Sequence, residues 1–156
     1  MTWGTSAKGR SSIVINWRSE SFPPRSPRCG VITDGFYEWS GPKEARQPHW
    51  FHRPDHALVI LAGMWKMQEQ KEGGFVQSFV VLTTRANGLI APIHDRVPVV
   101  LDESRFDEWM HAKTPEPVLR SMVQPAPNEW LVAERASTLV NSVRNGGPEL
   151  LARLLD

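Results

Sequence analysis

The stretch ALVILAGMWKMQEQKEGGFVQSFVVLTT, residues 57–84, decides the fold. Two apolar runs, 57–67 and 75–84, flank a charged segment (KMQEQKEGG, 66–74) that closes on two glycines. Short apolar runs rich in Val, Ile, Phe and Trp, bounded by Gly, Pro or polar turns, are the pattern of strands. Strands that follow one another through a short polar connection pair most simply as a hairpin, so 66–74 reads as a solvated hairpin loop.

The same pattern recurs on either side, at 13–17, 30–39, 49–52, 97–101 and 130–133. Helices are few. Asp102 is a plausible N-cap for 103–111, where Phe106, Trp109 and Met110 stand at helical spacing. Thr114 and Pro115 read as cap and first helical position for 115–123, and Pro148 opens 149–155. Pro125 and Pro127 break the chain before the strand at 130–133. The expected fold class is α+β: a β-rich mixed or barrel-like sheet with a few peripheral helices. At 156 residues, with no repeat, low-complexity segment or long linker, a single domain is expected over 1–156.

Composition excludes several classes of function. No apolar stretch approaches the roughly 18 residues of a membrane span, and Met1-Thr2-Trp3-Gly4 has no export signature, so a cytoplasmic protein is expected. The one cysteine, Cys29, rules out an intramolecular disulfide and any site built on several thiolates. A net charge of +1 provides no global basic field, so a nucleic acid would have to be gripped by a local cluster. The seven Trp offer faces for unstacked bases, although large aromatics are more often packing residues.

Three polar clusters interrupt the strands. Asn16, Arg18 and Glu20 alternate along Asn16-Trp17-Arg18-Ser19-Glu20 and share one face if that segment is extended. Glu38 lies between aromatics in Asp34-Gly35-Phe36-Tyr37-Glu38-Trp39, a setting that raises a carboxyl pKa towards that of a general acid. His94, in Ile93-His94-Asp95-Arg96-Val97-Pro98, precedes a strand between charged neighbours, where an imidazole is readily poised for proton transfer. The bland alternatives are a solvated sheet face, an edge-strand Glu and a loop His. His49, His52 and His56 have metal-like spacing, but His49 and His52 point to opposite faces of a strand and no Cys or carboxylate completes a set, so no metal is expected. Serine-hydrolase elbow, P-loop and dinucleotide fingerprints are absent, and no cofactor is expected.

Taken in order, these clusters resemble the SRAP family (SOS response-associated peptidase domains). Asn16-Trp17-Arg18-Ser19-Glu20 is similar to its N-A-R-x-E segment. Arg28-Cys29 with Asp34-Gly35-Phe36-Tyr37-Glu38-Trp39 is similar to R-C-[LI]-x-P-A-D-G-F-Y-E-W. Thr83-Thr84-Arg85-Ala86-Asn87 through His94-Asp95-Arg96-Val97-Pro98-Val99 resembles T-T-x-A-N-x-x-[LI]-x-x-[IV]-H-D-R-M-P-V, and Val140-Asn141-Ser142-Val143-Arg144-Asn145 with Gly147-Pro148-Glu149 resembles V-N-x-x-x-N-D-x-P-E.

The resemblance implies a β-rich fold with a basic cleft for single-stranded DNA, in which an N-terminal Cys condenses with the aldehyde of an abasic site to give a thiazolidine crosslink. It also implies that Asn16 positions the linkage, that Glu38 and His94 move protons, and that Arg18 and Arg96 neutralise phosphates. Asn16, Glu38 and His94 are expected to converge on one pocket bordered by those arginines. The family's M-C-G-R start has no counterpart here, Thr5-Ser6-Ala7-Lys8 stands in place of a Pro-Ser-Trp element, and Pro23, Pro24 and Pro27 occupy a shortened segment before Cys29. The chain is therefore expected to recognise abasic single-stranded DNA without the family's nucleophile. The rival expectations are a noncatalytic DNA- or protein-binding module and the peptidase of the family title.

Overall fold

The computed structural model describes residues 1–6, 13–70 and 73–151. In chain order the strands are β1 (Thr2–Trp3), β2 (Thr5–Ser6), β3 (Ile13–Val14), β4 (Asn16–Arg18), β5 (Arg28–Thr33), β6 (Phe36–Ser40), β7 (Gln47–His52), β8 (Val59–Glu69), β9 (Phe75–Arg85), β10 (Arg96–Pro98) and β11 (Val132–Arg135). Among the described residues, two short α-helices, α1 (Phe106–Met110) and α2 (Glu116–Met122), and several 3-10 turns join them, so the chain is α+β as expected. It divides into two compact units. The first comprises Met1–Ile32, Ile60–Arg85 and Val97–Ala126; the second comprises Thr33–Val59, Ala86–Arg96 and the residues from Pro127 on.

The first unit is built on the hairpin expected from residues 57–84. β8 and β9 pair antiparallel from Gly63↔Val81 to Glu69↔Phe75. Its turn closes through the Gln70 N–H donating to the Gly74 carbonyl at 3.0 Å, with Gly73 and Gly74 at φ of 86° and 85°, a region that favours glycine. β1 and β4 run parallel to β9, β10 also pairs with β9, and β5 lies on the other side of β8 in a sheet that curls as a half-barrel. A two-stranded ribbon joins β2 to β3.

Strand alternation puts Ala62 and Met64 of β8 and Val80 and Leu82 of β9 into one core with Phe22, Val99, Leu101, Trp109 and Leu119. The Phe22 and Trp109 rings lie 5.6 Å apart at 31°, a contact contributing about 0.5–1.5 kcal/mol beyond area burial. Trp109 is fully buried, and its indole N–H is satisfied by the Cys29 carbonyl at 3.0 Å. Arg28 is buried beside it and donates to the carbonyls of Trp109, Pro24 and His111 at 2.6, 2.8 and 2.7 Å. The guanidinium thereby satisfies carbonyls at the end of α1, where positive charge is favoured.

The helical segments are shorter than their sequence patterns. Asp102 caps as expected, accepting from the Ser104 N–H at 2.9 Å, but Glu103–Arg105 is a 3-10 turn and only Phe106–Met110 is α-helical. Before α2, Pro115 itself holds the extended cap conformation, because Thr114 commits its hydroxyl to the Glu108 carbonyl at 2.6 Å. Pro148–Leu151 forms a 3-10 turn, and the remainder of the helix expected at 149–155 lies outside the described residues. Among the described residues no helix is long and apolar enough to cross a membrane.

The second unit centres on the antiparallel sheet β11-β7-β6. The apolar run expected at 30–39 is broken here, because the Thr33 hydroxyl turns the chain by donating to the Gly35 carbonyl at 2.8 Å. A Cβ at Gly35 would stand 2.5 Å from the Phe51 carbonyl oxygen, so only glycine fits this turn. One face of the sheet carries Glu38, Ser40 and His49, and the other carries Tyr37, Trp39, Trp50 and His52. The C-terminal segment is tied to that second face: Trp39 Nε1 donates to Asn141 Oδ1 at 2.7 Å, and Asn141 Nδ2 donates to the Arg46 carbonyl at 3.1 Å. Asn145 secures the turn beneath by donating to the Leu139 carbonyl at 2.7 Å.

Candidate active site

Glu38 is presented by the middle of β6, opposite His49 of β7. His94 arrives from a compact turn that follows β9. Asn87 caps that turn, its Oδ1 accepting from the Ile90 N–H at 3.2 Å, and the fully buried Ile90 plugs it into the unit. The His94 N–H then bonds the Ile90 carbonyl at 3.0 Å, and the Ala86 N–H bonds the Asp95 carbonyl at 2.9 Å, closing the loop at its base. Asn128 Oδ1 holds the outer edge through the Leu89 N–H at 3.3 Å. The spacing from Asn87 to His94 thus builds a rigid presenting loop.

The two side chains meet. His94 Nδ1 lies 4.0 Å from Glu38 Oε2 and 3.4 Å from Asp95 Oδ1. The same nitrogen stands 3.0 Å from both the N–H and the carbonyl of Arg96. A neutral imidazole with Nδ1 unprotonated accepts from the Arg96 N–H, whereas one protonated there donates to the Arg96 carbonyl with two carboxylates nearby. Either proton state of Nδ1 thus has a partner in the Arg96 backbone. The Glu38 side chain is about one-fifth exposed at 20%. Burial raises its pKa, the His94 charge opposes that rise and Asp95 adds to it, with a raised value as the outcome. Glu38 therefore keeps its proton to higher pH than an ordinary carboxylate.

Asn16 and Arg18 occupy the exposed face of β4 in the first unit, with Asn16 paired to Val81 and Arg18 to Thr83 of β9. The extended alternation expected to continue to Glu20 stops at Arg18. Ser19–Ser21 is a 3-10 turn, and Phe22, 1% exposed, pulls the chain into the core, so Glu20 leaves the strand. Arg96 begins β10, and its backbone N–H is the Nδ1 donor described above.

Sequence reading missed the neighbours of Glu38. Ser40 Oγ and His49 Nε2 are 2.8 Å apart, and Arg135 of β11 is the cross-strand partner of His49. The signal was the pairing register, which spacing alone does not reveal. Burial and the Arg135 charge both lower the His49 pKa, a setting that opposes the imidazolium a serine-activating base must form. His52 lies on the opposite face, its ring stacked on Trp50 at 3.9 Å and on His56 at 4.7 Å, as a packing residue. Among the described residues there is no group of three or more His, Cys, Asp or Glu that would hold a metal ion.

Fold and site together define a mixed α+β chain in which a carboxyl on a small sheet stands near an imidazole held on a turn. The family model described as SOS response associated peptidase (SRAP) matches residues 3–143, and the chain belongs to that family. The abasic site processing protein YoqW of Bacillus subtilis (strain 168) is 34% identical over 149 residues, an alignment covering 88% of this chain and 66% of the relative. The abasic site processing protein HMCES of Gallus gallus is 29% identical, covering 91% of this chain and 48% of its own length. The chain thus spans between about half and two thirds of these relatives. A crystal structure of a protein from Bacteroides thetaiotaomicron superposes with a TM-score of 0.81 over 90% of this chain and 66% of that one at 21% identity, which shows the shared fold.

Proposed function

We propose that this chain recognises abasic sites in single-stranded DNA in the cytoplasm and that Glu38 and His94 catalyse opening of the abasic sugar to its aldehyde. The observation that carries this reading is a Glu38 whose pKa burial raises, 4.0 Å from His94, in a chain whose relatives are named abasic site processing proteins. An abasic deoxyribose is a cyclic hemiacetal. To open, the C1′ hydroxyl loses a proton and the ring oxygen gains one as the C1′–O4′ bond breaks. Glu38 in its protonated form supplies the acid, and neutral His94 accepts the hydroxyl proton. The proton count is unchanged, and passing a proton between the two groups restores both for another turnover. In this reading Arg18 and Arg96 neutralise phosphates and Asn16 hydrogen-bonds the opened sugar.

The test uses the 156-residue chain and a single-stranded oligonucleotide with one abasic site, with the undamaged strand and the corresponding duplex as controls. Fluorescence anisotropy at several salt concentrations is expected to rank abasic single strand first, and Arg18→Glu and Arg96→Glu are each expected to weaken binding and flatten the salt slope by about one unit per lost phosphate contact. Ring opening is read by saturating methoxyamine, which captures the aldehyde as it forms. Glu38→Gln and His94→Ala are expected to slow capture by about 10²- to 10⁴-fold, the usual worth of a positioned acid or base, with binding retained. Equal affinity for damaged and undamaged strands would sink the recognition, and unchanged capture in both variants would sink the acid–base assignment.

A further inference from the structure

In the first unit β9 presents two faces. Val80 and Leu82 enter the core, and Trp17, the cross-strand partner of Leu82, packs against that core as well. The other face carries the alternate residues Phe79, Val81, Thr83 and Arg85. Trp3 stands opposite Phe79, Asn16 opposite Val81 and Arg18 opposite Thr83. The pairing register therefore sets Trp3, Asn16, Arg18 and Arg85 on one face of the sheet, with the two arginines together at its end.

Arg85 lies one strand across and two residues along from Arg18, about 8 Å away between backbones, and both side chains are exposed. Other arginines of this unit are engaged: Arg28 with carbonyls, Arg105 with Glu108 and Arg120 with Glu116. Among the described residues, neither Arg18 nor Arg85 has a hydrogen-bond or ion-pair partner for its guanidinium. Two guanidiniums so placed repel each other unless they share an anion, and their long stems let both forks reach the same one. The rest of the face indicates which anion. Asn16 offers an amide about 7 Å along β4 from Arg18. Further along, Trp3 is 56% exposed and its indole N–H is committed to the Ile15 carbonyl at 3.0 Å, so the ring is held with its surface open to an unstacked base. Paired cations, an amide and an open indole in one line fit a single strand of nucleic acid, whereas an acidic peptide would leave the indole unused.

We propose that Arg85 joins Arg18 in holding one backbone phosphate of the bound single strand, next to the sugar that Asn16 contacts. This inference rests on the DNA reading above and adds to it a contact that the family pattern does not assign, since Arg85 stands at the unspecified position of T-T-x-A-N.

Anisotropy titrations with an undamaged and an abasic single strand compare the native chain with Arg18→Gln, Arg85→Gln and the double variant. Arg120→Gln is the control, an equal change of charge on α2, whose Leu119 packs against the opposite face of the sheet. All three side chains are exposed, so folding is kept. Arg85→Gln is expected to weaken binding of both strands by about tenfold without changing their ratio, while Arg120→Gln stays within about twofold. Because one phosphate is shared, the double variant is expected to lose less than the product of the single losses and to flatten the salt slope by about 0.7, the value of one phosphate on a single strand. Unchanged binding in Arg85→Gln, or an equal loss in Arg120→Gln, overturns the contact. A slope change near about 1.4 in the double variant overturns the sharing. A native chain that binds both strands alike, yet weakens in Arg85→Gln, keeps this contact and sinks abasic recognition instead; a native chain that binds neither strand sinks both.

Discussion

Glu38 Oε2 stands 4.0 Å from His94 Nδ1, too far for a hydrogen bond and near enough for each group to feel the other's charge. Glu38 sits on the sheet and His94 on a turn fixed by Asn87 and Ile90, so neither depends on the other for its position. That independence makes the electrostatics testable by substitution without collapse of the site.

A carboxyl whose pKa is raised in the folded chain binds its proton more tightly folded than unfolded. Its stabilising contribution is complete below the ordinary carboxylate range and is lost as pH rises through the raised value. Glu38→Gln removes this dependence. The variant is expected to gain thermal stability relative to the native chain as pH is raised from 4 to 8, while losing the proposed ring-opening activity. Melting curves across that range check it, and a stability difference that is flat with pH would show that burial does not raise Glu38.

Arg28 is expected to be a structural arginine. Each of its three guanidinium nitrogens donates to a backbone carbonyl, two of these carbonyls being at the end of α1. Arg28→Ala should cost about 2–4 kcal/mol, because several buried carbonyls lose charged donors at once. Arg28→Lys should recover only part of this, since an ammonium cannot reproduce the fork of the guanidinium. Urea denaturation measures both, and a loss under about 1 kcal/mol for Arg28→Ala would contradict this role.

The hairpin at 57–84 and the Asp102 cap were legible because each rests on local chemistry: period, turn glycines and a capping carboxylate. Glu38 and His94 stood out as polar residues where an apolar strand or its edge was expected. Whatever depends on pairing register was hidden. His49 and Arg135 lie in strands other than the one that carries Glu38 and Ser40, and only the alignment β11-β7-β6 brings His49 opposite Glu38 and Arg135 opposite His49. The roles of Asn141 and Asn145 were equally hidden: the motif was visible in the sequence, but its use as a clasp on Trp39 and the Leu139 turn needs the fold. Glu20 misled because alternation was extended past a strand that the buried Phe22 had already ended.

Cys29 is expected to be unreactive in the native chain. Burial pushes its thiol to about 11, and a Cβ at Gly63 would lie only 2.8 Å from its Sγ, so it is packed tightly and held neutral. At pH 8 a thiol-reactive dye should label it slowly before denaturation and fully after. Rapid native labelling would show an accessible thiolate and would make Cys29 a candidate nucleophile.

Ser40 and His49 test the peptidase reading directly. At 2.8 Å their hydrogen bond has the geometry of a nucleophile and its base, and the family title invites that interpretation. The electrostatics run against it. A serine-activating histidine becomes an imidazolium, which a neighbouring carboxylate should stabilise, whereas His49 is half-buried and faces the cation Arg135, both of which lower its pKa. Its hydrogen bond to Ser40 is therefore expected to brace the edge of β6 beside Glu38. A fluorophosphonate probe should leave Ser40 unlabelled at pH 7 to 9. Ser40→Ala should cost about 0.5–1.5 kcal/mol, the net worth of one such bond, and leave the sugar opening proposed for Glu38 and His94 within about twofold. Stoichiometric labelling of Ser40, abolished by His49→Ala in a variant that still folds, would establish a working nucleophile and overturn this account.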